Sequence, residues 1–399
     1  MLITIKKNIG LKEIDRLYLD LYSGIKINTV INIMLPKELT KNYLGLASSL
    51  IQFVATWTRY SNSGKLLIDI EKPTSNDIEG LYAFEYVFPI ISLVWNSNGV
   101  YDKTGEVSLR NDFKEMNALV FDDMKKVKAM KGEKLLLTNF DHLPKEYGIL
   151  ATFEKNGRYI LNENDLLESL KPSILNDVLR NSRESKSIFE TVQKDFIGIV
   201  YELMKNTFEW AKDDELGVPY NPNVRGILIK FNKKKRVKLL EEYNNNNAVC
   251  KYFSSDVLKE NSLGQLYFLE ISVIDSGAGF IKKYKSLNND TECSDIDIVK
   301  KCLIKHNTSA RGLDKTDKGR GLDRILNILD NKGFLRIKTD KVCLYRDLIS
   351  DNYKVNETND VKQMELFDWK TYSNEVFTEY KYASGSVVTI IYPLAQNIV

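Results

Sequence analysis

The chain has 399 residues, 43% of them hydrophobic and 28% charged, with a formal net charge of +3. That length allows two or three folded units, the composition is ordinary for a globular protein in water, and so small a charge excess leaves no nucleic-acid footprint by itself. Four cysteines, Cys250, Cys293, Cys302 and Cys343, show no paired spacing and support neither a disulfide framework nor a zinc site. No signal peptide is read at the front. The longest early apolar run, Tyr86 to Trp95, is too short to cross a bilayer and contains Pro89, so a cytoplasmic location is expected.

Residues 1–25 carry little signal beyond a strand and a short helix. Alternating β-formers from Ile27 to Leu35 predict a strand ended by Pro36, and Glu38 to Tyr60 a helix with Leu44, Ala47, Leu50, Ile51, Val54 and Trp57 on one face. Ser61 to Gly64 stops it, and Lys65 to Ile70 reads as a second strand. The result is a strand–helix–strand unit, with a right-handed crossover if the strands are parallel neighbours. A helix over Asn76–Trp95 and a strand over Lys134–Phe140 complete a small α/β domain spanning residues 1–150. It holds no glycine-rich phosphate loop, metal constellation or nucleophile–base set. His142, in a loop, reads as structural rather than catalytic.

Residues 151–186 form a linker whose helix, Asn162 to Arg180, is interrupted at Pro172. A long helix follows from Ser187 to Asp213, with Ile188, Val192, Phe196, Val200, Leu203 and Phe208 as its buried stripe. Glu202 and Asn206, four apart, project from one side of it. Arg225 to Phe231 is a strand, the basic run Lys230 to Lys238 reads as its solvated end with a phosphate-binding patch as the alternative, and Asn244 to Asn247 is a polar surface loop. Ile271 to Asp275 is an apolar strand followed at once by Gly277 and Gly279; alone this is a weak signal, because strand-to-turn junctions often use Asp and Gly. Residues 281–318 are polar with a helix near Ile296 to Lys305, the length of a functional lid. Gly321 to Asn331 then reads as a helix and Gly333 to Thr339 as a strand. Asp347 to Asp360 is a charged insertion, and Ser386 to Tyr392 the last strand.

Four segments stand out in order: Glu202 with Asn206; Asp275-Ser276-Gly277-Ala278-Gly279; Lys318-Gly319-Arg320-Gly321-Leu322; and Gly385-Ser386 opening the last strand. Together they resemble the boxes of the GHKL ATPase superfamily, which shares the Bergerat ATP-binding fold and includes gyrase B, MutL and the histidine-kinase catalytic domains. The likeness covers residues 187–399. It implies an α/β (α+β) fold: a C-terminal two-layer α/β sandwich preceded by the smaller α/β domain, with a lid at 280–318. It also implies ATP and Mg2+ as cofactors. In the resemblance Asn206 is the magnesium ligand, Glu202 orients and deprotonates the attacking water, and Asp275 reads the adenine amino group. Gly277 and Gly279 clear space for the base, and Ser386 supplies a hydroxyl near it, with Thr389 as the alternative. Lys318, Gly319, Arg320, Gly321 and Leu322 form a glycine turn opening a helix, whose backbone N–H groups bind phosphate.

The chain departs from the family in two ways. No His-Glu-x-x-x-Pro phosphoacceptor precedes the ATP region, and the only other histidine is His306. No transducer domain is expected after the last strand, so the family's γ-phosphate lysine is expected to be absent, replaced by Lys318 or Arg320, or brought by a partner. The expected function is a slow, nucleotide-gated ATPase switch with a protein partner or a second copy, similar to stand-alone bacterial ATPases of signalling or phage defence. The alternatives are a serine kinase of the anti-sigma-factor type and a non-catalytic ATP-sensing scaffold. Neither a membrane nor a nucleic acid is indicated as a partner.

Overall fold

A computed structural model of the chain describes residues 1–60, 63–288, 292–304, 321–353 and 360–394. Its N-terminal region runs β1 (Leu2–Thr4), α1 (Leu11–Lys26), β2 (Asn32–Leu35), α2 (Leu46–Tyr60), β3 (Leu66–Ile68), α3 (Ser75–Tyr82), α4 (Val87–Val94) and β4 (Val100–Tyr101). The four strands pair in parallel in the order β1-β2-β3-β4, so the strand–helix–strand unit read from the sequence is present. Its helix begins at Leu46 rather than Glu38. The backbone before it is used elsewhere: Leu44 N–H donates to the Tyr243 hydroxyl and Gly45 N–H to the Glu270 carboxylate. The helix expected over Asn76–Trp95 is two. α3 starts at a capping box between Thr74 and Asp77. α4 carries Pro89 in its first turn, where a missing N–H costs no helical bond.

After α5 (Arg110–Lys125) the chain leaves this sheet. β5 (Lys134–Asn139) is followed by α6 (Lys145–Gly148), a small hairpin of β6 (Glu154–Lys155) and β7 (Arg158–Tyr159), and α7 (Glu163–Ser173). One π-helical turn at Ile174–Val178 leads to α8 (Arg183–Trp210). Next come β8 (Arg225–Lys235), α9 (Arg236–Glu242), α10 (Asn247–Phe253) and β9 (Gln265–Asp275). Where a lid was expected lie α11 (Phe280–Asn288) and α12 (Asp295–Leu303); the rest of that segment, from 305 onward, is outside the described residues. α13 (Gly321–Leu329), β10 (Phe334–Asp340), β11 (Val342–Asp347), β12 (Phe367–Asp368) and β13 (Ala383–Pro393) complete the order. The region read as an insertion from Asp347 thus begins at the end of a strand, β11, that sequence periodicity missed.

Seven strands form one antiparallel sheet in the order β12-β11-β10-β13-β9-β8-β5. The chain is therefore a mixed α/β protein. Strand alternation sorts the sheet into two faces. Asp275, Thr339, Ser386 and Tyr392 lie on the face that meets α8, where Tyr392 donates to Asp195 of that helix. Glu270, Ser272, Arg336, Lys338 and Thr389 lie on the other, which is covered by α2. α2 is buried from Leu46 to Thr58, with α1 and α4 beside it and β9 and β13 beneath. The α/β sandwich thus carries an additional helical layer, supplied by the N-terminal region.

Of the expected unit 1–150, the part through β4 makes its own sheet, whereas β5 is an edge strand of the large one. Buried ion pairs fasten the two parts. Glu85, just before α4, pairs with Lys134 on β5 and with Lys230 on β8; beyond β5, Asp141 and Glu154 hold Arg225, which is only 1% exposed. One buried hydrophobic cluster runs from Ile3 to Leu394 across both parts, and a second, smaller one gathers Leu44, Tyr252, Phe334 and Trp369. No helix among the described residues is long and apolar enough to cross a membrane. A chain starting at residue 151 would lose β5 and the cover of one sheet face. It should show no sigmoidal urea transition by circular dichroism; sharp two-state unfolding of that fragment would contradict the shared core.

Candidate functional site

β9 ends in the middle of the large sheet, and Asp275 is its last residue. In the two registers it faces Arg225 of β8 and Ser386 of β13, so its carboxyl is enclosed on both sides. The next residue anchors the turn: Ser276 N–H donates to the Val224 carbonyl, and its hydroxyl donates to Asn223 Oδ1 at 2.6 Å. The Asn223 amide in turn donates to Asp141 and to the Ala211 carbonyl at the end of α8. Gly277 then runs so close to α8 that a Cβ would stand 2.5 Å from Ala211 Cα, and its N–H donates to Asp275 Oδ1 at 3.0 Å. Gly279 has φ +81°, a left-handed conformation that side chains disfavour.

That turn delivers the chain to α11. The first N–H groups of this helix are taken by the end of β10: Phe280 N–H donates to Thr339 Oγ1 and Ile281 N–H to Asp340 Oδ2, both at 3.1 Å. Thr339 Oγ1 also lies 3.3 Å from Ser386 Oγ. The Asp275 strand, the root of the helical segment and the last strand therefore meet at one point. Ser386 is the hydroxyl on this face. Thr389, the alternative, points to the opposite face and bonds Ser272 at 3.2 Å.

The far end of the site is built by α8 and α13, which pack together. Gly321 opens α13 directly over Glu202; a Cβ there would meet Glu202 Oε2 at 2.5 Å. Leu322 is half-buried against the core. Lys318, Gly319 and Arg320 lie outside the described residues, as does His306. Asn206 is half-buried one turn from Glu202, and its side chain makes no hydrogen bond among the described residues. At 1.5 Å per residue, about 13 Å of α8 separates Glu202 from Ala211, with Asn206 near the midpoint. Three of the four sequence segments thus contact one another directly or through α8, and the described part of the glycine turn joins them at Gly321.

Several residues of the site carried no sequence signal. Arg324 of α13 reaches Glu202 Oε1 at 3.3 Å while held by both oxygens of Glu163 on α7. Burial raises the Glu202 pKa, and Lys205 and Arg324 pull it back. Arg59, at the end of α2, donates to the carbonyls of Ser276 and Pro222 and stacks on Tyr220 at 4.1 Å. His142 accepts the Asn223 N–H on Nδ1, in keeping with its structural reading. Among the described residues no group of three or more His, Cys, Asp or Glu side chains is placed to hold a metal.

The chain matches no protein-family model, no curated protein and no solved structure.

Two carboxyls here are pushed up by burial, Asp275 to about 6 and Asp340 to about 7, against an ordinary value of 3.8. In both cases nearby donors oppose the shift without cancelling it. A carboxyl whose pKa is higher folded than unfolded adds stability below its unfolded pKa and loses it as pH rises through the folded value. Unfolding free energy should therefore fall between pH 4 and pH 8 by on the order of 3 kcal/mol per group. Asp340→Asn keeps the contacts of the cap but cannot titrate, so its urea midpoint should vary less over that range than the parent's. Parallel pH profiles for the two proteins would exclude Asp340 as a source of the slope.

Proposed function

We propose that the chain binds Mg-ATP along α8, with the base at Asp275 and the phosphates toward Gly321 and Glu202, and acts as a slow nucleotide-gated switch of the GHKL type. The observation that carries this reading is the meeting of Asp275, Gly277, Ser386, Asn206, Glu202 and Gly321 on one sheet face and one side of one helix. These residues come from segments far apart in the chain, and their order along α8 matches the order of a base, a metal-bound phosphate and a reacting phosphate.

The chemistry at the base end follows from burial. Asp275 oxygens accept hydrogens from an exocyclic amino group and repel an oxo group, which favours adenine over guanine. Donors from a base stabilise the charged carboxylate and lower its pKa, so binding near pH 6 should release a proton. At the other end Asn206 offers a neutral oxygen suited to magnesium, which keeps several waters of its own. The metal would offset phosphate charge there. Glu202 is placed to orient water one turn away. The root of α11, capped by Thr339 beside Ser386, couples base binding to the helical segment that follows.

A binding-only reading is favoured by one contact: Arg324 already occupies a Glu202 oxygen, which lowers that carboxylate's power as a base. Calorimetry and γ-labelled ATP separate the two. ATP should bind and GTP bind poorly, and Asp275→Asn should lose about 1–3 kcal/mol of ATP affinity, the cost of an unmatched buried polar group. Asn206→Ala should weaken Mg-ATP binding. Glu202→Ala should bind normally and lose turnover by about a hundredfold to ten-thousandfold. Unchanged ATP affinity in Asp275→Asn would remove that residue from the site. ATP binding with no labelled phosphate released by the parent would leave the binding-only reading.

A further inference from the structure

The face of the large sheet turned away from α8 carries two cations side by side on β10. Arg336 and Lys338, two residues apart on one strand, are 6% and 4% exposed. Both lie against aromatic rings, Arg336 over Trp369 at 4.8 Å and Lys338 over Tyr380 at 4.5 Å and Tyr18 at 5.9 Å. Those contacts steady the charges; Arg336 Nη1 also reaches Ser49 Oγ at 3.5 Å, but the Arg336 Nε hydrogen and those of Lys338 stay unused among the described residues. Among the described residues Lys338 Nζ and Arg336 Nε have no hydrogen-bond partner, and neither do the hydroxyls of Tyr18 and Tyr380 beside them.

Buried polar groups are normally paired, and a buried charge strongly so. The carboxylates flanking this cluster do not pair it. Asp368 spends its oxygens on the N–H groups of Lys370, Thr371 and Thr378 and on the Thr378 hydroxyl. Asp15, half-buried on α1, makes no hydrogen bond to either cation; burial raises its pKa, with Lys338 and then Arg336 opposing. Burial likewise lowers the pKa of Lys338. The cluster holds an ammonium with three hydrogens, a guanidinium N–H and two phenols. These are six donor hydrogens around an excess of positive charge, more than the roughly four acceptor sites of a carboxylate can use but suited to the oxygens of a phosphoryl group.

We propose that Arg336, Lys338, Tyr18 and Tyr380 form a binding site for a phosphate-class oxyanion beside Asp15, at the seam between α1, α2 and β10. The site is independent of the nucleotide cleft, which lies on the opposite face. Its occupant would join the N-terminal helices to β10, whose last residues cap α11. Inorganic phosphate and a phosphomonoester present the same oxygens, and the two are told apart by affinity.

The full chain is titrated with sodium phosphate, glycerol 3-phosphate and sodium acetate at constant ionic strength, following the thermal midpoint and the heat of binding. Phosphate or the monoester should give a saturable rise and acetate none; the tighter of the two identifies the source. Lys338→Met should raise the midpoint in phosphate-free buffer, because it removes an unmatched buried charge, and should abolish the response. Tyr380→Phe should fold as the parent and bind about tenfold more weakly, the effect of one lost hydrogen bond. Asp15→Asn should bind several-fold more tightly, since the carboxylate competes for the same cations. A response equal for acetate and phosphate, or undiminished in Lys338→Met and Tyr380→Phe, would overturn the proposal. So would the absence of any saturable response, which would leave the cluster as cations held by aromatic rings alone.

Discussion

A buried carboxylate at the end of the central strand is the constraint on which the rest of this structure depends. Asp275 sits between β8 and β13 with its solvation removed, and the chain must turn immediately after it while passing close to Ala211 and Asp340. Holding that turn takes a run of buried polar contacts: Ser276 to Asn223, Asn223 to Asp141, and Asp141 with Glu154 to Arg225. Each link satisfies a group that burial would otherwise leave unpaired, at a cost of about 1–3 kcal/mol apiece. Asp141 and Glu154 come from the segment around residue 150, so the Asp275 end of the candidate site rests on elements of both halves of the chain.

The same logic explains α2. A sheet face bearing Glu270, Ser272, Arg336, Lys338 and Thr389 cannot be covered by an ordinary apolar helix. α2 answers with Ser49 and Gln52 toward the sheet, with Gly45 at its start meeting Glu270, and with Thr56 accepting the Ser384 N–H. Its last turn places Arg59 on the Ser276 carbonyl. A shift of α2 would therefore pull directly on the loop after Asp275. The parallel sheet of the N-terminal region supports that helix, and through it the N-terminal region bears on the proposed nucleotide site.

Long periodic elements were legible from the residues alone. α8 declared itself by its apolar stripe, β9 by its Ile- and Val-rich run, and β13 by its β-formers after Gly385. The grouping of Glu202, Asn206, Asp275 and Ser386 followed from four short segments in order, each weak alone. What was hidden is what depends on tertiary pairing. β5 reads like any strand, and nothing local says that its partner is β8, nearly a hundred residues on. Leu44 and Gly45 have helical neighbours, yet their N–H groups go to Tyr243 and Glu270. Arg59, Arg324 and Asp340 drew no signal because a charged residue in sequence carries no sign of the carbonyl, carboxylate or N–H it will meet.

The central claim is that one ligand bridges the Asp275 turn and the start of α13 along α8. Amide hydrogen–deuterium exchange, with and without Mg-ATP, tests it most directly. The account predicts slower exchange together in 276–281, in the last turns of α8 and in the first turn of α13, with little change for Mg-GTP. Protection confined to one of these segments, or an identical pattern with both nucleotides, would contradict it.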